Sequence, residues 1–135
     1  MGATWKPPEN SQHLHYQVVD PQPWPRYLEA MSSAEIALMP MEPNPHTDAK
    51  SAIKFFEAAA MGAVAVGLGK IYQQTIIHEQ TGLLADSPKT FAQHVAELAL
   101  DCSRRQTIRG QAHKWLQENN LLTHHLELWR EALIQ

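Results

Sequence analysis

The sequence predicts an α/β fold in three layers, α/β/α, with a short parallel sheet of about four strands and helices closing the chain. Two observations carry this. Short apolar runs alternate with segments whose apolar residues recur at helical spacing, a pattern that implies a parallel sheet covered on both faces. Proline, glycine or Asp-Pro punctuates nearly every boundary between them.

Residues 1–12 are polar, contain Pro7 and Pro8, and read as a poorly ordered lead-in; residues 13–135 read as one domain. Leu14 to Val19 is the first expected strand, ending at Asp20-Pro21. Pro25 suits a first helical turn, and Tyr27, Leu28, Met31 and Ala34 place a helix over Trp24–Ser33. Glu35 to Met39 is the second strand, stopped by Pro40, and the proline-rich run Met41–Thr47 is a loop. Lys50–Met61 has no breaker, is rich in alanine, and carries Ile53, Phe56 and Ala60 on one stripe. Gly62 stands where a left-handed terminating residue is wanted. Ala63–Val66, closed by Gly67, is a third strand, Tyr72–Glu79 a short helix, and Gly82–Ala85 a fourth strand. Asp86-Ser87-Pro88 then opens a helical stretch that runs to the end, with a break near Asn119-Asn120. Its stripes are Phe91, Val95, Leu98, Ala99 and Cys102, then Ile108, Ala112, Trp115 and Leu116, then Leu122, Leu126, Trp129 and Leu133.

Composition excludes several classes. With 11 basic and 14 acidic residues the net charge is −3, and the basic residues are scattered, so no surface built for nucleic-acid phosphates is expected. Hydrophobic residues at 44% and charged residues at 19% are ordinary for a globular domain that buries a core. No run of about 18 apolar residues exists, so no transmembrane segment is expected. Cys102 is the sole cysteine, which makes a reducing, cytoplasmic setting the default.

In open α/β sheets ligands bind at the loops leading from strand ends into helices. The loop Met41–Ser51 is long for such a connection and delivers Asp48, Lys50, Ser51 and Lys54 to the first turn of the alanine-rich helix. Unpaired N–H groups and the positive dipole end there favour a phosphate, and two lysines add to the attraction. Glu57 follows one turn after Lys54. Its two carboxylate oxygens match a ribose diol; equally, Lys54 and Glu57 are i, i+3 neighbours and satisfy the pattern of a solvated surface pair.

The run Lys50-Ser51-Ala52-Ile53-Lys54-Phe55-Phe56-Glu57-Ala58-Ala59-Ala60-Met61-Gly62-Ala63-Val64-Ala65-Val66 resembles the donor-binding segment of group 1 glycosyltransferases of the GT-B fold, which pair two Rossmann-like domains across a cleft. Ile36–Pro40 supplies the family's strand ending in proline, Glu57–Gly62 its Glu-Ala-x-Ala-x-Gly, and Thr81-Gly82-Leu83-Leu84 its later strand. The closing helices with Arg104, Ala112 and Trp129-Arg130 are also similar, so the resemblance covers residues 27–133. It implies that Glu57 binds the ribose hydroxyls of a nucleoside diphosphate sugar and that the amides around Ala49–Ala52 cradle the diphosphate. The donor is then a substrate, with no separate cofactor, no obligatory metal, and retention of anomeric configuration. Many members carry a glutamate eight positions before the ribose-binding one. Position 49 is alanine here, which leaves Asp48 and His46 as the nearby candidates for that contact. The Lys-Ser-x-x-Lys-x-x-Glu variant is similar to a branch acting in polysaccharide or glycan assembly.

The family's two opening strand–helix units and its acceptor-binding domain have no counterpart in these 135 residues. The resemblance therefore implies the donor-binding part of a longer enzyme, inactive alone because transfer needs groups from both sides of the cleft. A sheet so shortened has an exposed edge or face, and association of copies is expected.

Other readings are weaker. His13/His15 and His124/His125 lack the i, i+4 spacing of a helical metal pair, so no metal site is expected. Gly67-Leu68-Gly69-Lys70 lacks the rest of a phosphate-binding loop and reads as a turn after a strand. Trp24, Trp115 and Trp129, with Met31, Met39, Met41 and Met61, read as packing residues. A non-catalytic α/β module that binds a nucleotide or a protein partner is the alternative function. One version, a receiver-like domain with Asp20 as phosphoacceptor, lacks the acidic cluster it needs.

Overall fold

A computed structural model describes His15, residues 20–120 and residues 122–133. The order is α1 (Trp24–Ser32), β1 (Ile36–Pro40), α2 (Pro45–Asp48), α3 (Ile53–Met61), β2 (Val64–Leu68), α4 (Lys70–Gln73), β3 (Leu83–Ala85), α5 (Pro88–Leu100) and α6 (Cys102–Asn119). A 3₁₀ turn, Leu122–His125, and α7 (Leu126–Leu133) follow. The described strands form one parallel sheet in the order β1-β2-β3, with Ile36 opposite Val64 and Val66 opposite Leu83. This is the expected Rossmann-like α/β arrangement. The strand expected over 14–19 and the lead-in over 1–12 lie outside the described residues, apart from the exposed His15.

The alternation of a pleated strand explains the layering. Ala65 of β2 points into a core with Phe55, Ala58 and Ala59 of α3, Tyr72 of α4, and Ala112 and Leu116 of α6. Val64 and Val66 point the other way, onto Leu83, Leu98 of α5 and Ile108 of α6. The central strand β2 is therefore buried on both faces, and α6 contributes to both cores. Leu98 and Ile108 are 0% and 2% exposed. Removing such side chains from water stabilises the fold by roughly 1.5–3 kcal/mol each.

Six expectations are corrected. First, α3 starts at Ile53 rather than Lys50, because Asn44 draws the preceding residues into their own helical turn. The Asn44 side chain accepts the N–H groups of His46 and Thr47, and Thr47 Oγ1 accepts the N–H of Asn44, a reciprocal cap. Second, the buried stripe of α3 is Phe55, Ala58 and Ala59; Ile53 and Ala60 are exposed and Phe56 is half-buried. Alanines let the helix sit close to β2 and α6, and Phe55 fills the space beside Trp115, ring centres 5.9 Å apart. Third, β2 runs through Gly67 to Leu68, since Met41 N–H continues the ladder to Leu68 O at 2.9 Å. The Gly67–Lys70 run is thus strand and helix start rather than a simple turn. Fourth, α4 ends at Gln73 instead of reaching Glu79. Fifth, the closing helical stretch breaks at Asp101, whose carboxylate caps α6 by accepting Arg104 N–H at 2.9 Å; Ala99 and Cys102 are consequently exposed. Sixth, Trp24 and Trp129 are exposed, at 64% and 57%. The left-handed Gly62 after α3 (φ 83°) and the Ser87 cap of α5, which accepts Thr90 N–H at 3.2 Å, are as expected.

Candidate functional site

The carboxyl end of β1 leads through Met41, α2 and residues 49–52 into α3, at the place where an open parallel sheet offers a ligand crevice. Ala52 precedes the first turn without a side-chain cap. The first N–H groups of a helix have no partner within it, so this end presents donors and a positive dipole terminus. Lys50, Ser51, Ile53 and Lys54 line a cleft of about 200 Å³ there, together with Met41 and the edge of the buried Tyr72. Burial pushes the Tyr72 phenol above its ordinary pKa. Both lysines and Ser51 are exposed to solvent.

The remaining sequence-selected residues are arranged differently. His46 and Asp48 belong to α2, and Ala49 follows it as an αR cap residue (φ −88°, ψ −2°). None of the three lines the lysine cleft, because α2 turns aside to pack against α4. Lys50 N–H is bonded to Thr47 O at 3.2 Å. The expected first-turn group is thus reduced to Lys54, with Lys50 and Ser51 immediately before the helix.

Lys54 also lines a second, more apolar cleft of about 360 Å³ with Tyr27, Ala30, Met31, Ala37 and Leu38. Beside it lies Glu57, half-buried, with both carboxylate oxygens turned to α1. The Tyr27 hydroxyl donates to Oε2 at 3.1 Å, and the Trp24 indole N–H lies 3.5 Å from Oε1. Burial, and then the adjoining Glu57 carboxylate, push the Tyr27 phenol up, so it stays protonated and donates. Reasoning along the sequence missed this contact because it spans 30 residues; the only available signal was Trp24 and Tyr27 sharing a helical stripe.

Another cavity, about 480 Å³, lies elsewhere: Met61, Gly62, Gln106, Arg109 and His113 line it at the carboxyl end of α3. Arg109 offers positive charge, but the helix presents its negative dipole end there, which disfavours an anion. Among the described residues, no group of three or more His, Cys, Asp or Glu side chains is placed to hold a metal ion. No described helix is long and apolar enough to cross a membrane.

A Rossmann-like domain with a basic cleft at one helix start is the class these features define. The chain belongs to the glycosyl transferase-like family, whose model it matches over residues 1–131. No curated protein and no solved structure matched the chain. Membership gives it a role in glycosyl transfer and implies a nucleotide-sugar donor.

Proposed function

We propose that this chain is the donor-binding half of a GT-B hexosyltransferase that moves a sugar from a nucleoside diphosphate to an acceptor hydroxyl in polysaccharide or glycan assembly. One observation carries the reading: Lys50, Ser51 and Lys54 converge on one cleft at an uncapped helix start, with the Glu57 carboxylate one turn further along α3. A cleft of about 200 Å³ suits a diphosphate, while the ribose lies toward Glu57. Lys50 and Lys54 then stabilise the charge that gathers on the diphosphate as the glycosidic bond breaks, together with the α3 dipole. The donor is the substrate, and no metal or separate cofactor takes part. Asp48, His46 and the Ala49 backbone stay in the proposed donor site as the residues leading into it, outside the lysine cleft itself.

Transfer also needs an acceptor and groups on the opposite wall of the cleft, so the 135-residue chain binds donor without turning it over. The setting is cytoplasmic, and the second wall comes from an acceptor-binding domain.

Thermal unfolding in the presence of UDP, GDP, ADP and dTDP tests the reading. Ligand at 100 times Kd adds about 2.7 kcal/mol to the folded state, an easily read rise in Tm. One nucleotide should produce it, and Glu57→Gln, which keeps an oxygen for the Tyr27 hydroxyl, should remove most of it while leaving the ligand-free Tm little changed. No shift with any of the four would point instead to a protein-interaction module.

A further inference from the structure

We infer that Tyr27 is a positioning residue for the donor site: its hydroxyl holds the Glu57 carboxylate in the orientation that receives the ribose. The inference rests on the donor-binding reading and extends it to α1, an element outside the segment that carries the family's motif.

The geometry is specific. Glu57 stands on α3 and Tyr27 on α1, two helices packed side by side. Tyr27 Oη donates to Glu57 Oε2 at 3.1 Å, while the Trp24 indole N–H approaches Oε1 at 3.5 Å. A carboxylate offers about four lone-pair sites, two on each oxygen. With one donor from α1 on each oxygen, one site per oxygen remains, and a cis-diol brings two hydroxyl donors. The α1 contacts are therefore compatible with ribose binding and restrict the rotation of a side chain that otherwise has three free torsions. An unrestrained glutamate loses that freedom when the nucleotide binds; one already held by Tyr27 does not, and its affinity is correspondingly higher.

Tyr27 is itself well fixed. It occupies the first turn of α1, with its N–H bonded to Pro23 O at 3.1 Å and Pro25 within the same turn. Tyr27 lines the apolar cleft shared with Met31 and Lys54, and its hydroxyl reaches the Glu57 carboxylate. Removing the hydroxyl alone leaves that ring packing in place.

The test compares three probes on the full 135-residue chain: the nucleoside diphosphate that binds best, its 2′,3′-dideoxy counterpart, and inorganic pyrophosphate. Affinities are measured by calorimetry for wild type, Tyr27→Phe and Glu57→Gln, with thermal unfolding as a check on folding. Wild type should prefer the ribose form, and Glu57→Gln should abolish the preference. Tyr27→Phe should cut it by about three- to tenfold, the range that one hydrogen bond accounts for. Pyrophosphate, which has no ribose, should bind all three alike. A Tyr27→Phe protein that keeps the full ribose preference while Glu57→Gln loses it overturns the inference and leaves the donor reading standing. An equal loss for ribose nucleotide and pyrophosphate also overturns it, since the effect then lies in the general fold. No ribose preference in wild type removes the role assigned to Glu57, and this inference with it.

Discussion

Gly62 ends α3 at φ 83°, ψ 25°, a conformation that costs an L-residue about 1–2 kcal/mol. A Cβ there would also stand 2.7 Å from Arg109 Nε, but a flexible arginine can move aside. Gly62→Ala should therefore destabilise by about 1–2 kcal/mol in urea unfolding. Gly67→Ala tests a different cost, because its Cβ would meet the buried Tyr72 Cβ at 2.9 Å and Ile76 Cδ1 at 3.0 Å. Neither neighbour has room to yield, and a loss of about 1–3 kcal/mol is expected from overpacking. Two carboxyls make stability depend on pH. Hydrogen bonds from Thr90 and then Ser87 hold the Asp86 carboxyl below its ordinary pKa; Gln93 and then Arg104 do the same for Glu97. A folded-state pKa below the unfolded one gives stability that is present above the unfolded carboxyl range, near about pH 4, and is lost as pH falls through the lower folded value. Thermal unfolding between pH 7 and pH 2.5 should show this acid loss, and Asp86→Asn should make it shallower. An unchanged slope in that variant would contradict the assignment.

The elements show where local signals end and tertiary ones begin. Gly62 and Ser87 were legible because a left-handed cap and a serine before Pro88 each act through their own backbone neighbourhood. The start of α3 was not, since nothing in Lys50–Ala52 breaks a helix; the Asn44 cap, six residues before Lys50, decides it. The face of α3 was equally hidden. Ile53/Phe56/Ala60 and Phe55/Ala58/Ala59 both fit a 3.6-residue period, and the close approach of α6 and β2 selects the stripe with two alanines at its centre. Substitution separates them sharply. Phe55, fully buried, should cost about 3–5 kcal/mol on truncation to alanine. Ile53→Ala, at a position 54% exposed, should stay within about 1 kcal/mol in the same urea series. Of the candidate site, the lysine–serine group and Glu57 could be read from spacing, whereas the partners of Glu57 on α1 depend on how two helices dock.

At the scale of the whole molecule, Leu38 on β1, an outer strand among the described ones, is 54% exposed, and α7 presents Leu126, Trp129 and Leu133 to solvent. Exposed apolar stripes of this kind favour association, and light scattering should find dimers or larger species. Trp129→Glu should shift them toward monomer without lowering Tm; a wild-type chain that is cleanly monomeric would count against the expectation. The donor site depends on which end of α3 meets an anion. The amino end carries Lys50, Ser51 and Lys54, and the carboxyl end opens on the larger cavity beside Arg109. Backbone amide chemical shifts recorded while inorganic pyrophosphate is added discriminate directly between them. The largest changes should fall on Lys50 to Lys54; changes centred on Gly62, Gln106 and Arg109, with residues 50–54 unmoved, would contradict the donor-site assignment.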